Sequence, residues 1–210
     1  MNRLLLPVAF SNYGLTDYQT VFNAMRTFTE SRTDETPDAF WLTQHYPVYT
    51  LGLNIKQEHR PIGSTIPVIE TDRGGQITYH GPGQCIIYLL LDLRRRHLAV
   101  KELVKYMEQG ILNFLSDYGI KGHLLAGAPG VYVEGAKIAS LGLKIRRGCS
   151  YHGLSLNVDM DASPFETIQP CGYEGLKITQ LREYGVATQD INAIHLNLAH
   201  RLLDVIQAPI

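Results

Sequence analysis

Arg73-Gly74-Gly75-Gln76-Ile77-Thr78-Tyr79-His80-Gly81-Pro82-Gly83-Gln84 places four glycines and a proline in twelve residues and runs directly into the apolar stretch Cys85–Leu91. A tight hairpin needs one or two turn residues. Four glycines indicate backbone that takes positive φ or closely approaches another group. The spacing predicts a turn, a short strand over Gln76–Tyr79, a second turn and then a buried strand. Cys85–Leu91 has no polar alternation, which fits a strand covered on both faces. Arg73, Thr78, His80 and Gln84 give this frame a dense set of polar groups, as expected of a wall that holds a substrate. The spacing does not name the substrate.

Working outward, Leu4–Phe10 is expected to form a first strand, with Ser11–Gly14 as a turn. Thr16 or Asp17 would then cap a helix in which Tyr18, Val21, Phe22, Met25 and Phe28 recur at helical spacing, ending near Arg32. Ala39–Thr43 and Val48–Leu51 are expected strands, with Trp41 in the core. Gly52–Gly63 is a polar connection, either a surface loop or a lid. Ile66–Ile69 is a short strand. Arg94, Arg95 and Arg96 form either a solvated loop or a docking patch for an acidic partner. Val100–Leu115 carries a second helical stripe that stops near Gly119. Gly127–Gly130 is expected to turn, and Val131–Val133 with Lys137–Arg146 to form a hairpin. Tyr151–Val158 alternates, with His152, Leu154, Leu156 and Val158 on one face. Asp159–Gly175 lacks periodicity, and Ile191–Val205 builds the last helix. Without regular βαβ alternation, the chain is expected to be one α+β domain over residues 1–210, its mixed, largely antiparallel sheet flanked by helices.

The 210 residues are enough to bury a sizeable core. A formal net charge of −1 gives no overall attraction to nucleic acid or anionic membrane. No run approaches the ~20 apolar residues of a membrane helix. The N-terminal apolar run is interrupted by Pro7 and lacks a cleavage pattern, so a cytoplasmic protein is expected. Cys85, Cys149 and Cys171 are odd in number with no C-x-x-C spacing, which speaks against a disulfide framework and a zinc site. No metal is expected.

Two residue types stand out chemically. Strict alternation puts Lys137 with Ala139, Leu141 and Leu143 on the apolar side of its strand, and Lys144 on a mixed side with Ile138, Ser140 and Gly142. A lysine so placed is either a general base or thiolate partner, or a snorkelling side chain with its ammonium in water. Cys171, between Pro170 and Gly172 in the long loop, has few bulky apolar neighbours and suits a nucleophile for a thioester carbonyl. Cys149, after Arg146 and Arg147, is the rival thiol.

The Arg73–Gln84 stretch resembles the signature of the lipoyl(octanoyl) transferases, enzymes that move an octanoyl group from acyl carrier protein to a lysine of a lipoyl domain. Gly135–Asn157 and Pro170-Cys171-Gly172 resemble the same family in the same order. The resemblance implies the fold of the biotin and lipoate protein ligase catalytic domain, with Lys137 and Cys171 as the catalytic pair. It also implies an acyl pocket walled by Arg73, Gly74, Gly75, Gln76, Ile77, Thr78, Tyr79 and His80, by Ser140, Leu141 and Gly142, and by Gly153, Leu154 and Ser155. Small residues there would leave room for an alkyl chain. His80 is either a positioning group or a structural histidine.

The implied mechanism is ping-pong. Cys171 takes the octanoyl group from the phosphopantetheine of acyl carrier protein as a thioester. A lysine of an apo lipoyl domain, on a 2-oxoacid dehydrogenase complex or the glycine cleavage H protein, then takes it from Cys171, with no ATP. A backbone N–H near Leu141, Gly142, Gly153 or Leu154 would hold the oxyanion. Two other readings compete. An ATP-dependent lipoate or biotin ligase would need no nucleophilic cysteine, and a non-catalytic acyl-binding protein would form no covalent adduct.

Overall fold

The computed structural model describes residues 7–55, 64–168 and 176–207. In chain order, the elements that position the site are β1 (Val8–Thr16), α1 (Tyr18–Ser31), β2 (Asp38–His45), β3 (Val48–Leu51), β4 (Val68–Glu70), β5 (Ile77–His80) and β6 (Gln84–Leu90). They are followed by α2 (Val100–Asp117), β7 (His123–Leu125), β8 (Ala128–Val133), β9 (Ala136–Arg146), β10 (Cys149–Asn157) and α3 (Ile191–Gln207). A seven-stranded sheet has the order β1-β2-β6-β10-β9-β8-β7, and a three-stranded sheet the order β4-β3-β5. Pairing is antiparallel except for β1 with β2 and β3 with β4. This is the expected mixed, largely antiparallel α+β architecture.

The large sheet is covered on both faces, and β6 shows why its sequence lacks alternation. Cys85, Ile87 and Leu89 face one core cluster with Leu103, Phe114 and Leu198 of α2 and α3. Ile86, Tyr88 and Leu90 face a second cluster with Tyr18, Phe22 and Met25 of α1. A third cluster joins the small sheet (Tyr49, Leu51, Ile77, Tyr79) to Phe165 and Ile168. Asp17 caps α1 by accepting a hydrogen bond from Thr20 N at 2.8 Å.

Several sequence expectations need correction. Ser11–Gly14 is not a turn: β1 continues through it beside β2, with a register shift between Asn12 and Leu15 and Gly14 at φ +61. The turn expected over Gly127–Gly130 is confined to its start, because Ala128 already belongs to β8 and pairs with Leu125. Arg95 and Arg96 form neither a solvated loop nor a patch. Both side chains are buried and grip the buried Asp38, which also pairs with Arg32. A buried carboxylate needs such partners. Of the three arginines only Arg94 is exposed, its side chain at 66%. Within the long loop, Ser163–Thr167 forms a 3-10 turn. Leu4–Leu6 of the expected first strand, most of the Gly52–Gly63 connection, and Pro170, Cys171 and Gly172 lie outside the described residues.

Candidate active site

Two local irregularities turn side chains toward one cleft. The first lies in β9. Val131 pairs with Ala139 and Tyr132 with Lys137, so Ile138 is an extra residue without a cross-strand partner. Such a bulge re-aims the side chains beside it. Val131, Ile138 and Ala139 all join the cluster under α2 and α3, while Lys137 faces Tyr132 on the opposite side, its Nζ 5.4 Å from the ring centroid. Strict alternation therefore gave the wrong face. Lys137 does not share the side of Ala139 and lines the cleft with Ser140. It is 2% exposed, which removes the snorkelling alternative. Gly130 makes room for it, since a Cβ there would come within 2.5 Å of Lys137 Cε.

The second irregularity is at His152, which takes φ +59 inside β10. Alternation placed it with Leu154, in the cluster under α2 and α3. Instead its ring stacks on Phe22 of α1, with centroids 5.3 Å apart, and lines the cleft. Its Nε2 lies 2.9 Å from Asp72 Oδ1. Asp72 also accepts the Tyr151 hydroxyl. Burial works to raise the Asp72 pKa, but the bonds from His152 and Tyr151 outweigh it and hold the group at about 2. An ionised carboxylate only accepts, so the imidazole proton sits on Nε2. Burial lowers the His152 pKa against the pull of Asp72. Nδ1 has no hydrogen-bond partner among the described residues.

The cleft and its open mouth together leave about 590 Å³ of space not filled by protein atoms. It brings together most residues expected of an acyl pocket: Arg73, Gly75, Gln76, Ile77, Thr78 and His80 from the Gly-rich stretch, Ser140–Gly142 from β9, and Gly153–Ser155 from β10. Two expected wall residues point elsewhere. Tyr79 alternates away from His80 and packs edge-on against Phe165, in the third core cluster. Gly74 opens on a neighbouring groove with Val100, Val104 and Leu143. Tyr18, Ile86, Tyr88 and His152 line the cleft without having been singled out. Tyr18 and Tyr88 read as core residues in the sequence, and only the tertiary fold turns them into lining.

The polar residues of the Gly-rich stretch build its frame. Arg73 donates to Thr50 O (2.7 Å), Thr50 Oγ1 (2.9 Å), Gln76 O (2.8 Å) and Gly74 O (3.0 Å), folding the loop around its guanidinium. His80 lies between Gln84 Oε1 (2.7 Å) and Thr50 Oγ1 (3.4 Å). Burial, with His45 nearby, pushes its pKa down to about 3, so it is neutral. Gln84 donates to Asn157 Oδ1 and Asn157 to Thr179 O, at 2.9 and 3.0 Å. The chain after the long loop is thereby tied to the site. The same segment bonds Lys137 directly, Lys137 N to Lys177 O (2.7 Å) and Thr179 N to Lys137 O (3.0 Å).

Two glycines have roles other than leaving room for an alkyl chain. A Cβ on Gly153 would lie 2.0 Å from Ile87 O, so this residue permits the close approach of β10 and β6. A Cβ on Gly142 would meet Arg73 Cδ at 3.1 Å. Cys149 is 2% exposed at the start of β10, and burial pushes its thiol pKa up, opposite to the effect expected from Arg146 and Arg147. Cys85 is fully buried and its pKa is raised further. Among the described residues no three His, Cys, Asp or Glu side chains cluster so as to hold a metal ion, and no helix is long and apolar enough to cross a membrane.

Residues 17–201 match the lipoyl protein ligase A/B catalytic domain. The chain belongs to this family. Its relatives include the octanoyltransferase of Nitrosomonas eutropha, 56% identical over 183 residues, covering 87% of this chain and 81% of that one. The octanoyltransferase of Azoarcus sp. is 52% identical over 199 residues, covering 94% and 87%. Among solved structures, a bi-partite lipoate protein ligase from Thermoplasma acidophilum superposes with a TM-score of 0.76 at 12% identity, covering 96% of this chain and 84% of that one. A lipoate-protein ligase A bound with ATP gives 0.75 at 10% identity, covering 97% and 86%. At these identities the structures establish the lipoyl ligase fold and nothing finer.

Proposed function

We propose that the protein is an octanoyltransferase of the lipoyl ligase A/B family. It takes an octanoyl group from octanoyl-acyl carrier protein and passes it to a lysine of an apo lipoyl domain, through an acyl-thioester on Cys171. Octanoyl transfer itself follows from identities of 52–56% to relatives bearing that activity as their name. The observation that carries the mechanism is Lys137, a buried side chain turned by the Ile138 bulge into a largely apolar cleft.

Lys137 serves the thiol of Cys171. Ile168, three residues before Cys171, is fixed in the third core cluster, and Lys177, six residues after it, is bonded to Lys137. The described chain that follows Cys171 is thus tied to Lys137, which supports pairing the two residues. Lys137 takes the thiol proton. The thiolate attacks the carrier thioester, and the carrier thiol leaves with that proton. The neutral acceptor amine then attacks the enzyme thioester; Lys137 takes its proton and passes it to the departing sulfur, so that the amide forms and Cys171 is released as the thiol.

Leu141 N–H is the best-placed oxyanion donor of the four expected residues. Gly153 and Leu154 lie in β10, between β9 and β6, where the ladders engage them. Leu143 O points to the outer edge of β9 and accepts Gly74 N at 2.9 Å. Leu141, two residues back, shares that edge. Exchange between thioesters conserves the acyl bond energy, and amide formation from a thioester is downhill, so neither ATP nor a metal is required.

Transfer of octanoate from octanoyl-acyl carrier protein to an apo lipoyl domain, without nucleotide, tests this. Transfer at a rate that ATP does not change is expected. Transfer only from free octanoate with ATP would replace this reading with a ligase.

A further inference from the structure

We propose that His152 sets the length of the acyl chain, forming the far wall of the cleft so that the chain stops at about eight carbons. This rests on the acyl-transfer reading above and identifies the determinant of its specificity.

The β10 side of the cleft is lined by four consecutive residues, His152, Gly153, Leu154 and Ser155. Ser155 faces Ser140 across the β9–β10 ladder, and His152 faces Leu143. Lys137 lies three residues beyond Ser140 in the direction away from His152, so the reacting end and the His152 end of the cleft are opposite. From Ser155 to His152 the strand advances about 10 Å. An extended eight-carbon chain, with bonds of about 1.5 Å, is about 9 Å long. The β10 lining between Ser155 and His152 is thus about as long as the chain it would hold.

His152 is also built to be a rigid stop. Its positive φ is an uncommon backbone state for a residue other than glycine. That state takes the ring out of the cluster under α2 and α3 and sets it across the cleft. The ring is clasped by Phe22 (5.3 Å), Tyr151 (5.0 Å) and Tyr88 (6.3 Å). Asp72 fixes its rotation through Nε2. A wall held by three rings and a hydrogen bond does not yield to two additional methylenes as a loose aliphatic side chain would.

The test is the ratio of kcat/KM for ten-carbon and eight-carbon chains, both delivered on acyl carrier protein, with six- and twelve-carbon chains completing the profile. A ratio taken within one variant cancels any loss of folded protein. Wild type is expected to peak at eight carbons and to fall about tenfold or more at ten, the discrimination that chain increments carry in a closed apolar pocket. His152→Ala should raise the ten-to-eight ratio about tenfold. His152→Phe keeps the bulk and should keep the wild-type ratio. An unchanged ratio in His152→Ala would overturn the proposal. So would a wild-type enzyme that takes twelve carbons as readily as eight, a result that needs no variant to fold. Failure of wild type to transfer any chain would instead overturn the acyl-transfer reading, and the length determinant with it.

Discussion

Lys137 faces Tyr132 across the β8–β9 ladder because Ile138 is one residue too many for that ladder. Without the extra residue Lys137 would enter the cluster under α2 and α3, where its amino group would have only apolar neighbours. With it, the lysine joins the cleft and its backbone clamps the segment that follows the Cys171 loop.

Gly130 is the space that this arrangement needs. It has φ +131, and a Cβ would meet both Lys137 Cε at 2.5 Å and Ala139 O at 2.6 Å. Gly130→Ala should displace Lys137, lowering octanoyl transfer more than tenfold and stability by about 1–3 kcal/mol. Steady-state kinetics alongside urea unfolding checks this. Unaltered transfer would mean that the lysine is not held where the cleft requires it.

The Asp38 cluster predicts a sharp contrast on one short stretch. Asp38→Ala strands the buried guanidinium groups of Arg32, Arg95 and Arg96 and should cost about 3–5 kcal/mol. Arg94→Ala, two residues from Asp92 on the exposed side, should change stability by no more than about 0.5 kcal/mol. Denaturant midpoints of the two variants measure the difference.

Stability should fall as the solution is acidified from neutral pH. Burial holds the folded pKa values of His45 and His195 at about 4 and that of His80 at about 3, all below the ordinary value of 6.5. Between those limits the unfolded chain binds up to three more protons, so stability is full above about pH 6.5 and is lost progressively toward pH 4. Unfolding free energies at pH 7.5, 6 and 5 should decrease in that order. Replacing His195 by Gln should reduce the slope, and an unchanged slope would show that His195 is not buried neutral.

Gly153→Ala offers a test of the sheet itself. Its Cβ would fall 2.0 Å from Ile87 O, a backbone atom of the neighbouring strand β6 that cannot step aside. The variant should lose about 1–3 kcal/mol or more, read as a drop in thermal midpoint.

The elements were legible wherever periodicity was clean. Val48–Leu51 is β3 as its sequence indicates, and the stripes of α1 and α2 gave both helices and the stop at Gly119. The Gly-rich stretch marked the wall of the cleft, and its resemblance supplied most of the lining. Two side-chain directions were not legible, and both matter to function. A single unpaired residue at Ile138 and one positive φ at His152 reverse the face that a period of two assigns. Neither is written in local composition, because each depends on which neighbouring strand accepts the hydrogen bonds. Arg95 and Arg96 were opaque for a related reason: Asp38, which they neutralise, is distant in sequence.

The central claim is a covalent octanoyl group on Cys171, formed with the help of Lys137 and without nucleotide. Intact mass after incubation with octanoyl-acyl carrier protein tests it most directly, in wild type, Cys171→Ala, Cys149→Ala and Lys137→Ala. A hydroxylamine-labile octanoyl adduct is expected in wild type and Cys149→Ala, absent from Cys171→Ala, and formed far more slowly in Lys137→Ala. An adduct that persists in Cys171→Ala, or one that forms at the wild-type rate in Lys137→Ala, would contradict the account.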